Sequence, residues 1–191
     1  MVLLLPGSRP DELRRHLPVM IDALGLLRAK VPNLRARMAL LNNSLVRQAK
    51  ALNLPVYLEV RVGGLPESLA EAEVAIASTG TVTTECAYFG VPTVALYKTS
   101  WSTWQIAKRI VKVKYAAMPN LLANEEVFPE FIQDAATPDK LARAALELLR
   151  DDSRRAKVKA RLSEIVASLG RPGAPARAAK AILETLEVKA S

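Results

Sequence analysis

Short unbroken apolar runs alternate along the chain with longer stretches whose apolar residues fall three and four apart. Val2-Leu3-Leu4-Leu5 is the first such run, and Pro6-Gly7 ends it. Unbroken apolarity over so short a run predicts a strand buried on both faces, as in a parallel sheet. Leu13, Leu17, Met20, Ile21, Leu24 and Leu27 then keep helical spacing. Ser8 and Asp11 stand at capping-box spacing and Pro10 suits a first turn, so the helix is expected to start there. Pro32-Asn33 breaks it. Further strands are predicted over residues 34–41, 55–60, 74–77 and 93–97, and helices over 43–52, 66–72 and 81–89. Gly90, with Pro92 just beyond, is a natural end for the last of these helices. Residues 118–124, with Pro119 near the start, read as a loop. From Pro138 onward the chain reads as helix, broken at residues 171–175.

Strands and helices in this alternation predict an α/β fold, a doubly wound parallel sheet with helices on both faces. We divide it into a main domain over residues 1–170 and a helical tail over 171–191. Ligands of such sheets bind outside the carboxyl ends of the strands. Two polar, glycine-bearing turns follow predicted strands there: Gly7-Ser8-Arg9 and Ser78-Thr79-Gly80-Thr81.

Composition narrows the classes. Half of the 191 residues are hydrophobic, enough for a real core, and 24% are charged, an ordinary globular value. No apolar run reaches the roughly 18 residues of a transmembrane helix. The opening MVLLLPGSRP is too short and lacks the basic leader of a signal peptide, so none is expected. A single cysteine, Cys86, excludes an intrachain disulfide, and a single histidine, His16, excludes a histidine-pair metal site. The formal net charge of +8 suits an anionic partner, whether nucleic acid, membrane or a phosphorylated substrate; it equally describes a solvated surface. Aromatic residues are only 5% and no nucleic-acid motif is present, which argues against nucleic acid.

Four segments carry candidate chemistry, each with a plainer alternative. In Gly7-Ser8-Arg9, glycine permits close backbone approach, a helix start offers N–H groups to an anion, and Arg9 adds a bidentate fork. The same residues also describe a capped turn with a surface arginine. In Ser78-Thr79-Gly80-Thr81-Val82-Thr83-Thr84-Glu85, a strand, a small polar turn and a helix again form a phosphate cradle. Thr81 and Glu85 share a helical face, and a carboxylate there suits ribose hydroxyls. The alternative is a threonine-rich helix start with a dipole-favoured glutamate. In residues 101–115, Trp101 and Trp104 stand among Lys108, Arg109, Lys112 and Lys114, a membrane-interface composition that also fits a core helix with a basic edge. In Met118-Pro119-Asn120-Leu121-Leu122-Ala123, Asn120 can donate and accept, as can any turn asparagine.

Taken together, LLPGSRPDEL, STGTVTTEC and ALYKTSWSTWQIAKRIVKVKYAAMPNLLA resemble the C-terminal half of the lipid-A-disaccharide synthases. The likeness covers most of residues 2–150. The family's usual Ala-Ser-Gly-Thr is here Ser78-Thr79-Gly80-Thr81, and residues 33–59 diverge more. The resemblance implies a Rossmann-like half of a glycosyltransferase-B fold, with a second half, outside this chain, that brings the lipid acceptor and a catalytic carboxylate. It implies that Gly7, Ser8, Arg9, Thr79, Gly80, Thr81 and Glu85 face a UDP-2,3-diacylglucosamine donor, and that Asn120 stands near the reacting sugar in a catalytic role. The implied reaction joins the sugar to a lipid X-type acceptor through an inverted β-1,6 bond, with no metal and no cofactor. The implied setting is the inner face of the cytoplasmic membrane, with an anionic surface as partner and a homodimer allowed. Another UDP-sugar transferase or epimerase, or a non-enzymatic basic membrane-binding module, are the alternatives.

Overall fold

A computed structural model describes residues 1–110, 113–170 and 173–189. Six strands, β1 (Val2–Leu5), β2 (Ala36–Leu40), β3 (Leu58–Val62), β4 (Val74–Ser78), β5 (Thr93–Tyr97) and β6 (Glu130–Ile132), form one sheet in the order β3-β2-β1-β4-β5-β6. Every pairing is parallel. The order reverses direction at β1 and β4, which is where an open α/β sheet leaves a crevice. The connecting helices are α1 (Pro10–Lys30), α2 (Asn43–Lys50), α3 (Leu65–Glu71), α4 (Thr81–Tyr88), α5 (Trp101–Ile110), α6 (Met118–Ala123), α7 (Pro138–Arg150), α8 (Asp152–Ser168) and α9 (Ala174–Lys189).

Strand periodicity explains the unbroken apolar runs. Val2 and Leu4 join Val74, Ile76, Val94 and Leu96 in a core under α1, α2 and α7. Leu3 and Leu5 point the other way and join Ala75, Ala77 and Ala95 in a second core with Cys86, Phe128 and Leu162. Alternate residues of each central strand thus fill opposite faces, and the buried polar residues of these strands, Ser78 and Thr93, stand at strand ends. The second face is lined with alanine, which leaves room for the fully buried Phe128.

Where local signals and pairing compete, pairing wins. The third strand is displaced to Leu58–Val62 from the expected 55–60. Leu58 N–H closes a turn onto Pro55 C=O, and the register Ala36↔Leu58 through Leu40↔Val62 draws the later residues into the sheet. Residues 118–124 are mostly the short helix α6 and not a loop, because Pro119 stands in the first turn, where its missing N–H is harmless. Strand β6 has a half-buried run of only three residues and gave no pattern. The C-terminal helical stretch has an earlier break at Asp151, whose side chain accepts the N–H of Arg154 and starts α8.

The α1 cap also differs from expectation. Ser8 is exposed and caps nothing; Arg9 occupies the N-cap position. Glu12, not Asp11, reaches back, its carboxylate accepting the N–H groups of Ser8 (3.0 Å) and Arg9 (3.3 Å). Asp11 pairs with Arg14 instead, at 2.8 Å. At the outer edge of the sheet, buried Arg37 of β2 binds Glu59 of β3 (2.9 Å) and Glu71 of α3 (3.0 Å). The hydrogen bonds from Arg37 hold both carboxyls below the usual carboxylate range. Arg61 of β3 adds a further pair to Glu59, at 2.7 Å.

Candidate functional site

The two glycine-bearing turns lie at the same sheet edge. β1 and β4 are parallel neighbours with Leu5 opposite Ala77, so their carboxyl ends release the chain side by side. Between the turns opens a cavity of about 560 Å³. One wall is Gly7, Ser8, Arg9 and Glu12; the facing wall is Ser78, Thr79, Gly80, Thr81, Val82 and Glu85. All seven residues expected to face a nucleotide sugar therefore line one cavity. The sequence reading missed an apolar side made by Ala39 and Leu40 at the end of β2, Leu41 just beyond it, and Gly63 and Leu65 after β3, with Tyr97 at the end of β5. Those residues carry no motif; only the strand order gathers them.

The walls differ in what they offer an anion. Glu12 already occupies the backbone N–H groups of Ser8 and Arg9, so these two amides are not offered to an anion and the Arg9 side chain is the turn's main charged group. The expected supply of N–H groups at the start of α1 is thus reduced by these two. Gly7 (φ 122°) is fixed by the same contact, since a Cβ there would stand 2.5 Å from the Glu12 carboxylate. Helix α4, in contrast, has no side-chain cap. Gly80 takes φ 136° and ψ −160°, a conformation essentially reserved for glycine, and turns the chain into α4. Thr83 Oγ1 donates to Gly80 C=O at 2.6 Å and braces the turn. The partial positive charge at the start of α4 is thus left to the cavity that Gly80, Thr81 and Val82 line. Arg9, its side chain 78% exposed, pairs with Glu12 at 3.8 Å and has room to swing toward a ligand.

Asn120 is elsewhere. It is fully buried, and its amide is saturated: Nδ2 donates to Phe128 C=O and Glu130 Oε1, both at 2.7 Å, while Oδ1 accepts the N–H groups of Val127 and Phe128. Glu130 also accepts the N–H groups of Ala116 and Ala117 at 2.8 Å. A side chain with no free lone pair or proton and no exposed surface cannot act on a sugar, so the expected catalytic role of Asn120 is withdrawn. It ties α6 to the segment that leads into β6.

No residue of α5 is buried. Trp101, Ile106 and Ile110 are exposed, as are Lys108, Arg109, Val113 and Lys114. Trp104 is half-buried, with Lys108 Nζ 5.9 Å from its ring centre. Lys112 lies outside the described residues. A plain core helix is therefore excluded for α5 in this chain. No helix of the described residues is long and apolar enough to cross a membrane. Cys86 is buried against Thr93, and burial pushes its thiol up to about 12, so it stays protonated.

Comparison with known proteins agrees with this architecture. The spinosyn rhamnosyltransferase complexed with thymidine diphosphate superposes with a TM-score of 0.62 at 17% identity, covering 94% of this chain and 44% of that one. The calicheamicin glycosyltransferase CalG4 gives 0.60 at 20% identity, covering 97% and 42%. These establish the fold, that of one half of a glycosyltransferase-B protein. By sequence, the family model for lipid-A-disaccharide synthetase matches residues 1–184. Lipid-A-disaccharide synthase of Solibacter usitatus is 37% identical over 98% of this chain and 49% of its own length. That of Synechocystis is 36% identical over 96% and 48%. The chain spans about half the length of the curated relatives it matches. With the family model spanning nearly every residue and relatives of this identity over nearly the whole chain, the protein belongs to the lipid-A-disaccharide synthase family.

Proposed function

We propose that this chain is the donor-binding half of a glycosyltransferase that moves a diacylglucosamine from a UDP carrier to a phosphorylated lipid X-type acceptor. The observation that carries the reading is the cavity between the two turns, with an uncapped helix start on one wall and the Arg9 guanidinium on the other. A diphosphate fits that pair: the α4 terminus takes one charge and the fork of Arg9 the other. The hydroxyls of Ser8 and Thr81 add donors at its rim. Glu85, one turn into α4 on the same wall, accepts from ribose hydroxyls.

Attack on the anomeric carbon then comes from the acceptor oxygen on the face opposite the departing UDP, which inverts that carbon and gives the β-1,6 disaccharide. A general base must stand within hydrogen-bond reach of that oxygen. We assign the base and the acceptor surface to the other half of the protein, because the relatives are about twice as long as this chain. The 191-residue chain alone should therefore bind UDP without making disaccharide. No metal or cofactor enters this scheme. We place the protein at the inner face of the cytoplasmic membrane, with the exposed apolar and basic side chains of α5 against anionic lipid.

Calorimetric titration of UDP into the chain tests the site. Arg9→Ala is expected to weaken binding by about 1.5–3 kcal/mol, the value of a hydrogen bond to a charged group. Arg9→Lys should restore only part of this, since an ammonium keeps the charge and loses the fork. Glu85→Gln should weaken UDP but spare free pyrophosphate. Wild-type affinity in both Arg9→Ala and Glu85→Gln would remove the donor assignment.

A further inference from the structure

The one histidine of the chain is fully buried on α1, one turn on from Glu12 of the cavity wall. Its Nδ1 lies 2.8 Å from the C=O of Pro6, the residue before the Gly7-Ser8-Arg9 turn. Its Nε2 lies 2.9 Å from the N–H of Lys98, the residue after Tyr97. A backbone N–H only donates, so Nε2 accepts, and Nδ1 carries the proton that it donates to Pro6. The imidazole is neutral and in one tautomer.

This contact joins two parts that the sheet leaves apart. β1 and β5 each pair with β4 and not with each other, so no ladder hydrogen bond connects their carboxyl ends. His16 makes that connection, and its ring also meets Tyr97, 5.5 Å between centres. The far side of the link is anchored. The Gln133 amide clamps both the N–H and the C=O of Thr99 at 2.9 Å, and Lys98 Nζ donates to the carbonyls of Gln133 (2.9 Å) and Ala136 (3.3 Å). The near side leads straight to Gly7 and Arg9, on the cavity wall.

We propose that His16 is a positioning residue for donor binding, bolting the Gly7-Ser8-Arg9 turn to the anchored loop after β5 and so setting where Arg9 stands relative to Tyr97. The inference rests on the donor reading of the cavity. It adds a consequence that the reading lacks. Protonation of Nε2 would set an N–H against the N–H of Lys98. The Lys98 carbonyl, 3.2 Å from the same nitrogen, would accept that proton where it stands, but the Lys98 N–H would lose its acceptor and face a cationic ring, which weakens the hold on the loop. Donor affinity should therefore fall in acid as the bolt lets go.

The surroundings favour the neutral form. Burial is the largest influence and lowers the pKa below 6.5, against the opposing hydrogen bonds to Pro6 and Lys98. Glu12 on α1 favours the cation and Lys98 opposes it. Helix α7 packs along α1 through Leu141, Ala144, Ala145 and Leu148 and keeps Asp139, Lys140 and Arg143 exposed; α2 likewise exposes Arg47 and Lys50. The link is thus intact at neutral pH and lost as the pH falls below 6.5 through the folded value.

The lone histidine makes the test direct, since the chain gives one set of imidazole nuclear magnetic resonance signals. Those signals should show the Nδ1–H tautomer at pH 7.5 and a midpoint below 6.5. UDP titrated between pH 5.5 and 8 should bind more weakly in acid to wild type than to His16→Gln, whose amide oxygen accepts the Lys98 N–H without titrating. The extra loss expected is about twofold to tenfold, the net value of one hydrogen bond. Protonation of UDP itself lowers both curves alike. Parallel pH curves, or the Nε2–H tautomer, overturn the proposal. Should the Gln variant fold poorly, wild type decides alone. Reciprocal linkage requires the imidazole midpoint to drop when UDP saturates the site, and an unmoved or raised midpoint overturns the inference. Wild type that binds no UDP at any pH, with the tautomer as stated, overturns the donor reading instead.

Discussion

Asn120 and Arg9 show how residue type misleads and informs. Both sit in family-like motifs, and both are polar residues at a turn or helix start. Arg9 is exposed at a cavity; Asn120 is sealed on the inner side of α6 with every side-chain hydrogen-bonding group engaged. Sequence spacing carries no signal for that difference, because it depends on residues 127–130, which return from a different element. The consequence for Asn120→Ala is loss of stability and not of chemistry. The buried N–H groups of Val127 and Phe128 would lose their acceptor, and each orphaned group costs about 1–3 kcal/mol. Urea denaturation should show a loss of about 2–6 kcal/mol on that basis. If stability is unchanged while donor binding falls, the structural role assigned to Asn120 is wrong.

At the scale of elements, five strands and the helices between them were legible in the sequence, because buried strands and amphipathic helices have different periods. β6 was not. Its three half-buried residues are strand only because β5 offers them a partner, with Ala95 opposite Glu130. The turns of the site were legible as glycine-bearing ends of strands, while the apolar side at Ala39–Leu41 and Leu65 was not. Helix α5 is the element whose environment departs most from what its pattern suggests. Its apolar residues follow helical spacing, yet none is buried, so Ile106 and Ile110 stand in water beside Lys108 and Arg109. If this face meets anionic lipid, each cation contributes about 1 kcal/mol near the surface. Changing Lys108, Arg109, Lys112 and Lys114 together to Gln should then sharply reduce co-sedimentation with vesicles containing phosphatidylglycerol. Ile106→Ser with Ile110→Ser should reduce it further. Equal sedimentation of all variants would rule out lipid as the partner of α5.

For the whole molecule, the strand order sets both the site and the flanks. The reversal between β1 and β4 opens the cavity at the centre of the sheet, and the same order leaves β3 on one margin. A marginal strand offers unpaired backbone groups to any other chain that can pair with them, which is a route to aggregation. Here the margin carries Glu59 and Arg61, and Glu59 is fastened from behind by Arg37. Val62 and Val56 nearby are exposed, so the charged pair is what interrupts an apolar ribbon. Charge at β3 thereby acts as a guard on solubility as well as a brace. Arg61→Val, which leaves Arg37 and Glu59 bound to each other, should make light scattering rise more steeply with protein concentration than in wild type. Identical scattering would mean that the margin is protected by its twist or its shortness, and that the ion pairs serve only to hold the sheet together.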